Sequence, residues 1–309
     1  MTAIHTIPKP SAEVPVAEPH RRRRRYDPTR RRSNIVTVLM WLCALYFVLP
    51  LIWLIVASTK DTGDLFSTFG LWFGERFSLF DNVVDVFTIR DGAYLRWTLN
   101  SALYAGVSAI GATFLATMAG YGFAKYRFPG SRLLFSITLG AIMIPLTALA
   151  IPTYLLFARY GLVNTPFAVI LPLLVSPFGV FLMRVYAHGA IPDTLIEAAR
   201  VDGAGEFRIF WQVCLPLLGP GMVTVLLFTL VATWNNYFLP LIMLNRSSLY
   251  PLTVGLAQLQ SQSAAGGGAQ AVFSTVITGS LLSIIPLIAA FLFLQRYWQT
   301  GLATGGVKG

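Results

Sequence analysis

Charge is what this 309-residue chain has least of. Charged residues make up 12% of it, about half of the roughly 25% typical of a soluble globular domain. Histidine is nearly absent: His5, His20 and His188 are all there are, so an H-E-x-x-H metal site is excluded. Two cysteines, Cys43 and Cys214, are too few for a disulfide scaffold. No G-x-x-x-x-G-K-S/T loop is present to cradle phosphates, so the chain does not hydrolyse ATP by itself. No G-x-S-x-G elbow or intramembrane Asp pair supplies a nucleophile or base for hydrolysis, and the chain reads as a non-enzyme. With 55% hydrophobic residues and a mean hydropathy of +0.66, disorder and collagen are excluded. The class that remains is an all-α polytopic membrane protein.

The net charge of +10 is placed unevenly. Residues 1–33 hold Lys9, the run Arg21 to Arg25, and Arg30 to Arg32 against Glu13, Glu18 and Asp27. That segment has no periodic apolar pattern and reads as a disordered basic tail. It is not a cleavable signal peptide, because the apolar run behind it is too long and lacks a small-residue cleavage site. Its arginines suit orientation and contact with anionic lipid. Nucleic-acid binding would call for aromatic interleaving or a folded basic module, and neither accompanies the run.

A membrane-spanning helix needs about 20 apolar residues. Six stretches qualify: residues 35–57, 98–124, 133–157, 165–183, 221–244 and 272–294. Prolines interrupt five of them (Pro50; Pro145 and Pro152; Pro172 and Pro177; Pro240; Pro286), which membrane helices tolerate where neighbours satisfy the freed carbonyls. Trp53, Trp97, Trp234, Trp298, Tyr121, Tyr154 and Tyr160 lie near span ends or turns, and most of them suit interfacial anchoring. An even count with the basic tail inside puts both termini in the cytoplasm of a multi-pass cell-membrane protein. Inside segments then carry 17 Lys and Arg and outside segments six, as the positive-inside rule requires. The chain divides into the tail (residues 1–33), a first span with its outer loop (34–97), a membrane core (98–297) and a C-terminal cytoplasmic tail (298–309).

None of the six stretches contains Asp, Glu, Lys, Arg or His. Ion-coupled carriers place such groups inside the membrane. Their absence points to a cargo without strong charge and to an energy source supplied by a partner. Uncharged polar residues are present: Asn100, Ser101, Tyr104, Ser108, Thr113 and Thr117 in the second stretch, Thr224, Thr229 and Thr233 in the fifth. Most of them suit helix–helix hydrogen bonding. The cluster Trp234, Asn235, Asn236 and Tyr237 also suits a neutral hydroxyl-rich ligand, with rings for its CH faces and amides for its hydroxyls, or equally an interfacial anchor. The last outer loop holds Tyr250, Pro251, Leu252, Thr253, Val254 and Gly255, then Gly266 to Gly268. It reads either as a slack connector or as a mobile loop that reaches a partner.

The inside loop of residues 191–216 is the strongest motif. Pro192, Asp193 and Thr194 suit a helix start, and Gly203 and Gly205 its end. Glu197 and Arg200 can pair at i,i+3. Phe207, Phe210, Trp211 and Cys214 then recur at spacings of three and four, as in a helix lying along a membrane surface.

Glu197-Ala198-Ala199, then Gly203 after three intervening residues, and Leu215-Pro216 resemble the EAA loop of ABC-importer permeases, with Val213 where the family has Ile. Trp234-Asn235, the run Tyr250 to Gly255 and the C-terminal Gly301-Leu302-Ala303-Thr304-Gly305-Gly306-Val307-Lys308-Gly309 are similar to the maltose-type, carbohydrate-uptake permeases, which usually have Ala where Gly306 stands. The resemblance implies a six-helix type I importer permease for a neutral sugar or oligosaccharide. Glu197, Ala198, Ala199, Asp202, Gly203, Leu215 and Pro216 would couple it to an ABC ATPase dimer that binds ATP and Mg. Gly301, Gly305, Lys308 and Gly309 would reach the same dimer. Tyr250, Pro251, Leu252, Thr253 and Gly255 would face an extracytoplasmic solute-binding protein, and a second permease chain, usually a distinct one, would complete the path. Trp234, Asn235, Asn236 and Tyr237 would be path residues. The alternative is an ATP-independent channel or facilitator for small polar solutes.

Overall fold

A computed structural model of the chain describes residues 34–264 and 272–305. The basic tail, Gly266 to Gly268, Lys308 and Gly309 lie outside the described residues. Among those described there is no strand. The chain divides into two units between Val48 and Leu49, and helix α1 (Asn34–Ser58) runs across that boundary. In the first unit every residue from 34 to 48 is exposed, including Trp41, Tyr46 and Phe47. A helix that is apolar on all faces has no side suited to water, which is the mark of a membrane span.

In the second unit a short α2 (Thr62–Ser67) precedes α3 (Leu79–Lys125), the helix on which the unit is organised. This helix breaks at residues 89–92, where Arg90, Asp91 and Gly92 take φ of 48°, 55° and 76°. Its long second arm packs against α7 (Pro177–Ala190), α11 (Gly219–Trp234) and α14 (Phe273–Gly305). Ala105, Ala109, Ala112, Ala116 and Gly120 recur at three- and four-residue spacing on that arm and are all buried. Small residues in such a row let helix backbones approach closely in lipid. The approach is close at Gly120, where an added Cβ would lie 2.6 Å from Met183 Cβ and 2.7 Å from the Arg184 backbone nitrogen.

Four described helices are long and apolar enough to span a membrane, and a bent pair gives a fifth. The stretch 133–157 departs from the six-helix expectation. It is divided into α4 (Ser131–Ile142) and α5 (Ala150–Arg159). Pro145 stands in the break, where its ring and missing N–H forbid helix continuation. Pro177 likewise separates α6 (Pro166–Leu173) from α7, although the two together still pass as one 25-residue span. The fifth stretch ends early. α11 stops at Trp234 and α12 (Phe238–Met243) follows a three-residue gap.

The connector 244–252 is tied to α3 by hydrogen bonds. Side chains on one face of α3, spaced i, i+3, i+4 and i+7, hold its backbone. Trp97 Nε1 donates to Ser247 O at 3.0 Å, Asn100 Nδ2 to Ser248 O and Tyr250 O at 2.9 and 3.0 Å, and Tyr104 OH to Leu249 O at 2.9 Å. Ser101 Oγ accepts from the Leu252 amide at 2.8 Å. Irregular backbone at a span end needs such partners. The chain then enters α13 (Leu252–Ala264), where sequence had suggested loop. Trp97 is fully buried and Trp234 nearly so, so these two are core residues, not interfacial anchors. Their indole N–H groups find carbonyls within the protein.

Adding one methyl group at Gly120 tests this packing. Gly120→Ala should cost about 1–3 kcal/mol through overpacking and lower the thermal midpoint of the detergent-solubilised protein. Gly106→Ala, with nothing within 4 Å of the new Cβ, should leave the midpoint unchanged or raise it.

Candidate functional site

The loop of residues 191–216 folds as a helical hairpin. Pro192 is extended (φ −64°, ψ 138°) and opens α8 (Asp193–Val201), with Asp193 in the first turn. The helix ends in a Schellman turn. Gly203 N–H donates to Arg200 O and Ala204 N–H to Ala199 O, both at 3.0 Å. Gly203 takes φ +78° with no atom within 4 Å of a built Cβ, so conformation alone demands glycine there. Asp202 caps the C-terminus by its backbone and is exposed.

The two faces of α8 differ. Ile196 is buried, and Ala199 packs beside it against the cluster of Ile209, Phe210 and Cys214. Thr194, Glu197, Ala198 and Val201 face outward, Val201 at 88% exposure. Of the Glu-Ala-Ala triplet, then, Glu197 and Ala198 are presented and Ala199 belongs to the hairpin's own core.

After Gly205 the chain forms a short α9 (Glu206–Arg208), one wide π-helical turn (Ile209–Cys214) and a last turn, α10 (Leu215–Leu217). This arm meets α11 at 76°. Pro216 and Pro220 lack the N–H groups a continuous helix would use across that corner. Leu215 and Pro216 therefore shape the bend. The expected surface stripe is split by the π turn: Phe210 and Cys214 are buried, while Phe207 is 77% exposed.

The hairpin is fastened to the last turn of α3. Lys125 Nζ, whose side chain is only 4% exposed, reaches Ile191 O at 2.5 Å and Asp193 Oδ1 at 2.7 Å. Arg200 Nε pairs with Glu206 Oε1 at 2.7 Å, so its partner is Glu206 and not Glu197. Glu206 Oε2 in turn accepts from Tyr126 OH. Tyr126 OH lies 3.4 Å from Tyr121 OH, which accepts from Cys214 Sγ at 3.6 Å. Lys125, Tyr121, Tyr126 and Glu206 were not marked as site residues by sequence reasoning. With Cys214 they form contacts that reach up to 93 residues along the chain, and no local spacing announces their meeting.

The other expected sites are placed differently. Trp234 is buried against α14, its Nε1 donating to Ser283 O at 3.2 Å, which removes it from the exposed path cluster. Asn235 Nδ2 caps its own helix at Val231 O, 2.9 Å, while Asn236 Oδ1 accepts the Leu239 amide at 3.3 Å. Asn235 and Tyr237 are exposed and Asn236 is half-buried. Tyr250, Pro251, Leu252 and Gly255 are buried, the last with its Cα against the Trp97 ring. Thr253 is half-buried and donates to Asn236 O at 2.9 Å. As packed, this run presents core residues rather than a free surface. Gly301 and Gly305 lie on the end of α14. Among the described residues no cluster of three metal-ligating side chains occurs.

Residues 112–299, which include the whole hairpin, match the family model described as binding-protein-dependent transport system inner membrane component. The chain belongs to this family. The permease is 35% identical over 280 residues to the arabinooligosaccharides transport system permease protein AraQ of Halalkalibacterium halodurans, covering 88% of this chain and 98% of that protein. It is 31% identical to the lactose transport system permease protein LacG of Rhizobium radiobacter, over 90% and 98% of the two chains. In three dimensions it superposes with a TM-score of 0.74, at 23% identity, on a chain of a bacterial ABC transporter involved in the import of the acidic polysaccharide alginate, covering 85% of this chain and 95% of that one. The fold is thus that of an importer permease.

Two outcomes follow for the permease hairpin. Gly203→Ala should cost about 1–2 kcal/mol at the left-handed position and speed amide hydrogen exchange in α8. Gly205→Ala, where φ is −73°, should not. Lys125 beside it holds the Asp193 carboxyl below its usual range. A lowered carboxylate pKa contributes stability that is present above the usual range and lost as pH falls through the lowered value. Protection of the α8 amides, relative to an unstructured chain at the same pH, should therefore hold at mildly acidic pH and fall only in stronger acid, and Asp193→Asn should remove that acid dependence.

Proposed function

We propose that the chain is the permease subunit of an ATP-driven importer that moves a neutral sugar or oligosaccharide across the cell membrane. The observation that carries the reading is the two-faced hairpin. One face is bolted to α3 by Lys125 and Tyr126. The other presents Glu197, Ala198 and Val201 with no partner among the described residues. An exposed apolar residue beside small and acidic ones on a rigid helix suits docking into a groove of another protein.

In this reading the partner is an ABC ATPase dimer, which binds ATP and Mg, and the hairpin is the coupling element. It lies on the cytoplasmic side together with both termini. A second permease chain, a distinct one, completes the path, and an extracytoplasmic solute-binding protein delivers cargo at the side of α13. ATP binding draws the ATPases together, and the hairpin passes that displacement to α3 because its salt bridge and hydrogen bonds leave little slack. Neutrality of the cargo is supported by spans without ionisable residues, and its sugar nature by relatives named for arabinooligosaccharide and lactose transport. Tyr237 and Asn236, at the gap between α11 and α12, are the remaining path candidates.

Ala198→Trp tests the coupling face. The site is exposed, so the protein should reach the membrane at normal levels while sugar uptake falls to background. Wild-type uptake by that variant would contradict the assignment. Liposomes holding the permease chain without any ATPase should show no sugar flux, whereas a facilitator would.

A further inference from the structure

Beside the hairpin lies a cleft that the transport reading does not use. It has a volume of about 810 Å³ and is framed by the end of α3, the start of α4 and the last two turns of α7. Lys125, Arg127, Arg132, Arg184 and His188 line it, against one carboxylate, Asp193. Asp193 is already paired with Lys125. Arg127, Arg132 and Arg184 have no ion pair or protein hydrogen-bond acceptor among the described residues. Lys125 and three arginines against the single carboxylate of Asp193 leave the cleft with an excess of positive charge, which an anion relieves.

The arrangement is built rather than incidental. Arg184 is half-buried, and its guanidinium carbon stands 3.8 Å from the centroid of the Phe135 ring. Stacking fixes the plane and leaves the edge N–H groups free for oxygen acceptors. Phe123 packs on Phe135 with ring centroids 5.5 Å apart. It also lines the cleft, so the wall behind the charge is aromatic. A smaller recess of about 290 Å³ continues from there along Ser131, Arg132, Phe135, Ser136 and Arg184.

The surroundings select among anions. On α4, immediately after Arg132, Leu133, Leu134 and Ile137 are 66%, 50% and 59% exposed. They form an apolar strip on α4, the helix whose Ser131, Arg132, Phe135 and Ser136 line the recess. A free phosphate has no use for that strip. A molecule with an anionic head and hydrocarbon tails matches both parts. We infer that this cleft binds the phosphate headgroup of an anionic phospholipid, with Arg127, Arg132 and Arg184 on the phosphate and the acyl chains along α4. The lipid belongs to the leaflet on the hairpin's side, and that placement alone rests on the orientation proposed above. Because Lys125 and Asp193 form one wall, the bound lipid sits against the joint between α3 and α8.

The test is native mass spectrometry of the full-length chain in detergent, titrated with phosphatidylglycerol, with phosphatidylcholine, and with phosphatidylglycerol in the presence of millimolar inorganic phosphate. A surface cation is worth roughly fivefold in affinity for anionic lipid, so removing two in Arg132→Gln/Arg184→Gln should weaken phosphatidylglycerol about 25-fold. Arg132→Lys/Arg184→Lys should retain most of the binding, and Arg76→Gln, an exposed arginine remote in sequence from the cleft, all of it. Equal phosphatidylglycerol affinity in wild type and in the double Gln variant would overturn the proposal. So would equal binding of phosphatidylcholine, or complete displacement by inorganic phosphate, which would mark a free-anion site instead. Uptake and ATPase coupling are not read in this experiment, so failure here leaves the transport reading standing, and failure of Ala198→Trp leaves this one standing.

Discussion

A backbone carbonyl near the end of a membrane span has little water to turn to, and every irregular connector must find donors within the protein. In this chain α3 supplies them at both ends of its long arm. At one end Trp97, Asn100 and Tyr104 donate to the carbonyls of residues 247–250, and Ser101 takes the Leu252 amide. At the other, Lys125 donates to Ile191 O and Asp193, and Tyr126 to Glu206. Between these ends the arm is lined with alanine and glycine, so α7 and α11 pack against its backbone. One helix thus ties together the hairpin, the α11–α14 layer and the connector into α13. A displacement applied at α8 has a short, hydrogen-bonded route to the rest of the unit.

Much of this was legible in the residues. The lack of charge in long apolar stretches gave the class, because hydrocarbon excludes ionised groups whatever the fold. The hairpin's helix boundaries followed from Pro192 and from Gly203, whose left-handed φ is a local property that glycine announces. The division of residues 133–157 at Pro145 was weakly visible: hydropathy averages over a proline, while helix geometry does not.

What sequence reasoning missed is long-range pairing. Arg200 had a plausible i,i+3 partner in Glu197, yet the Schellman turn folds Glu206 back onto it. Lys125 counted only as a loop charge, and nothing near it in sequence says that it will be buried under Ile191. Trp97 and Trp234 were read as anchors because tryptophan is common at interfaces. Their burial depends on carbonyls 150 and 49 residues away. The run Tyr250 to Gly255 looked free because it follows a span end and precedes the glycine triplet Gly266 to Gly268. Trp97 pressed against Gly255, and the hydroxyls of α3 on its backbone, make it core.

The central claim is that α8 and the end of α3 move as one body. The most direct measurement is pulsed electron–electron distance spectroscopy on the assembled transporter. Spin labels would be placed at Val201, exposed on α8, and at Phe128, just beyond α3, in a Cys43→Ser background. Cys214 is buried and engaged with Tyr121, and labelling of the single-label controls would confirm its silence. The account predicts the same narrow distance distribution without nucleotide and with ATP trapped. A shift or marked broadening between the two states would show that the hairpin slides on α3, and would contradict it.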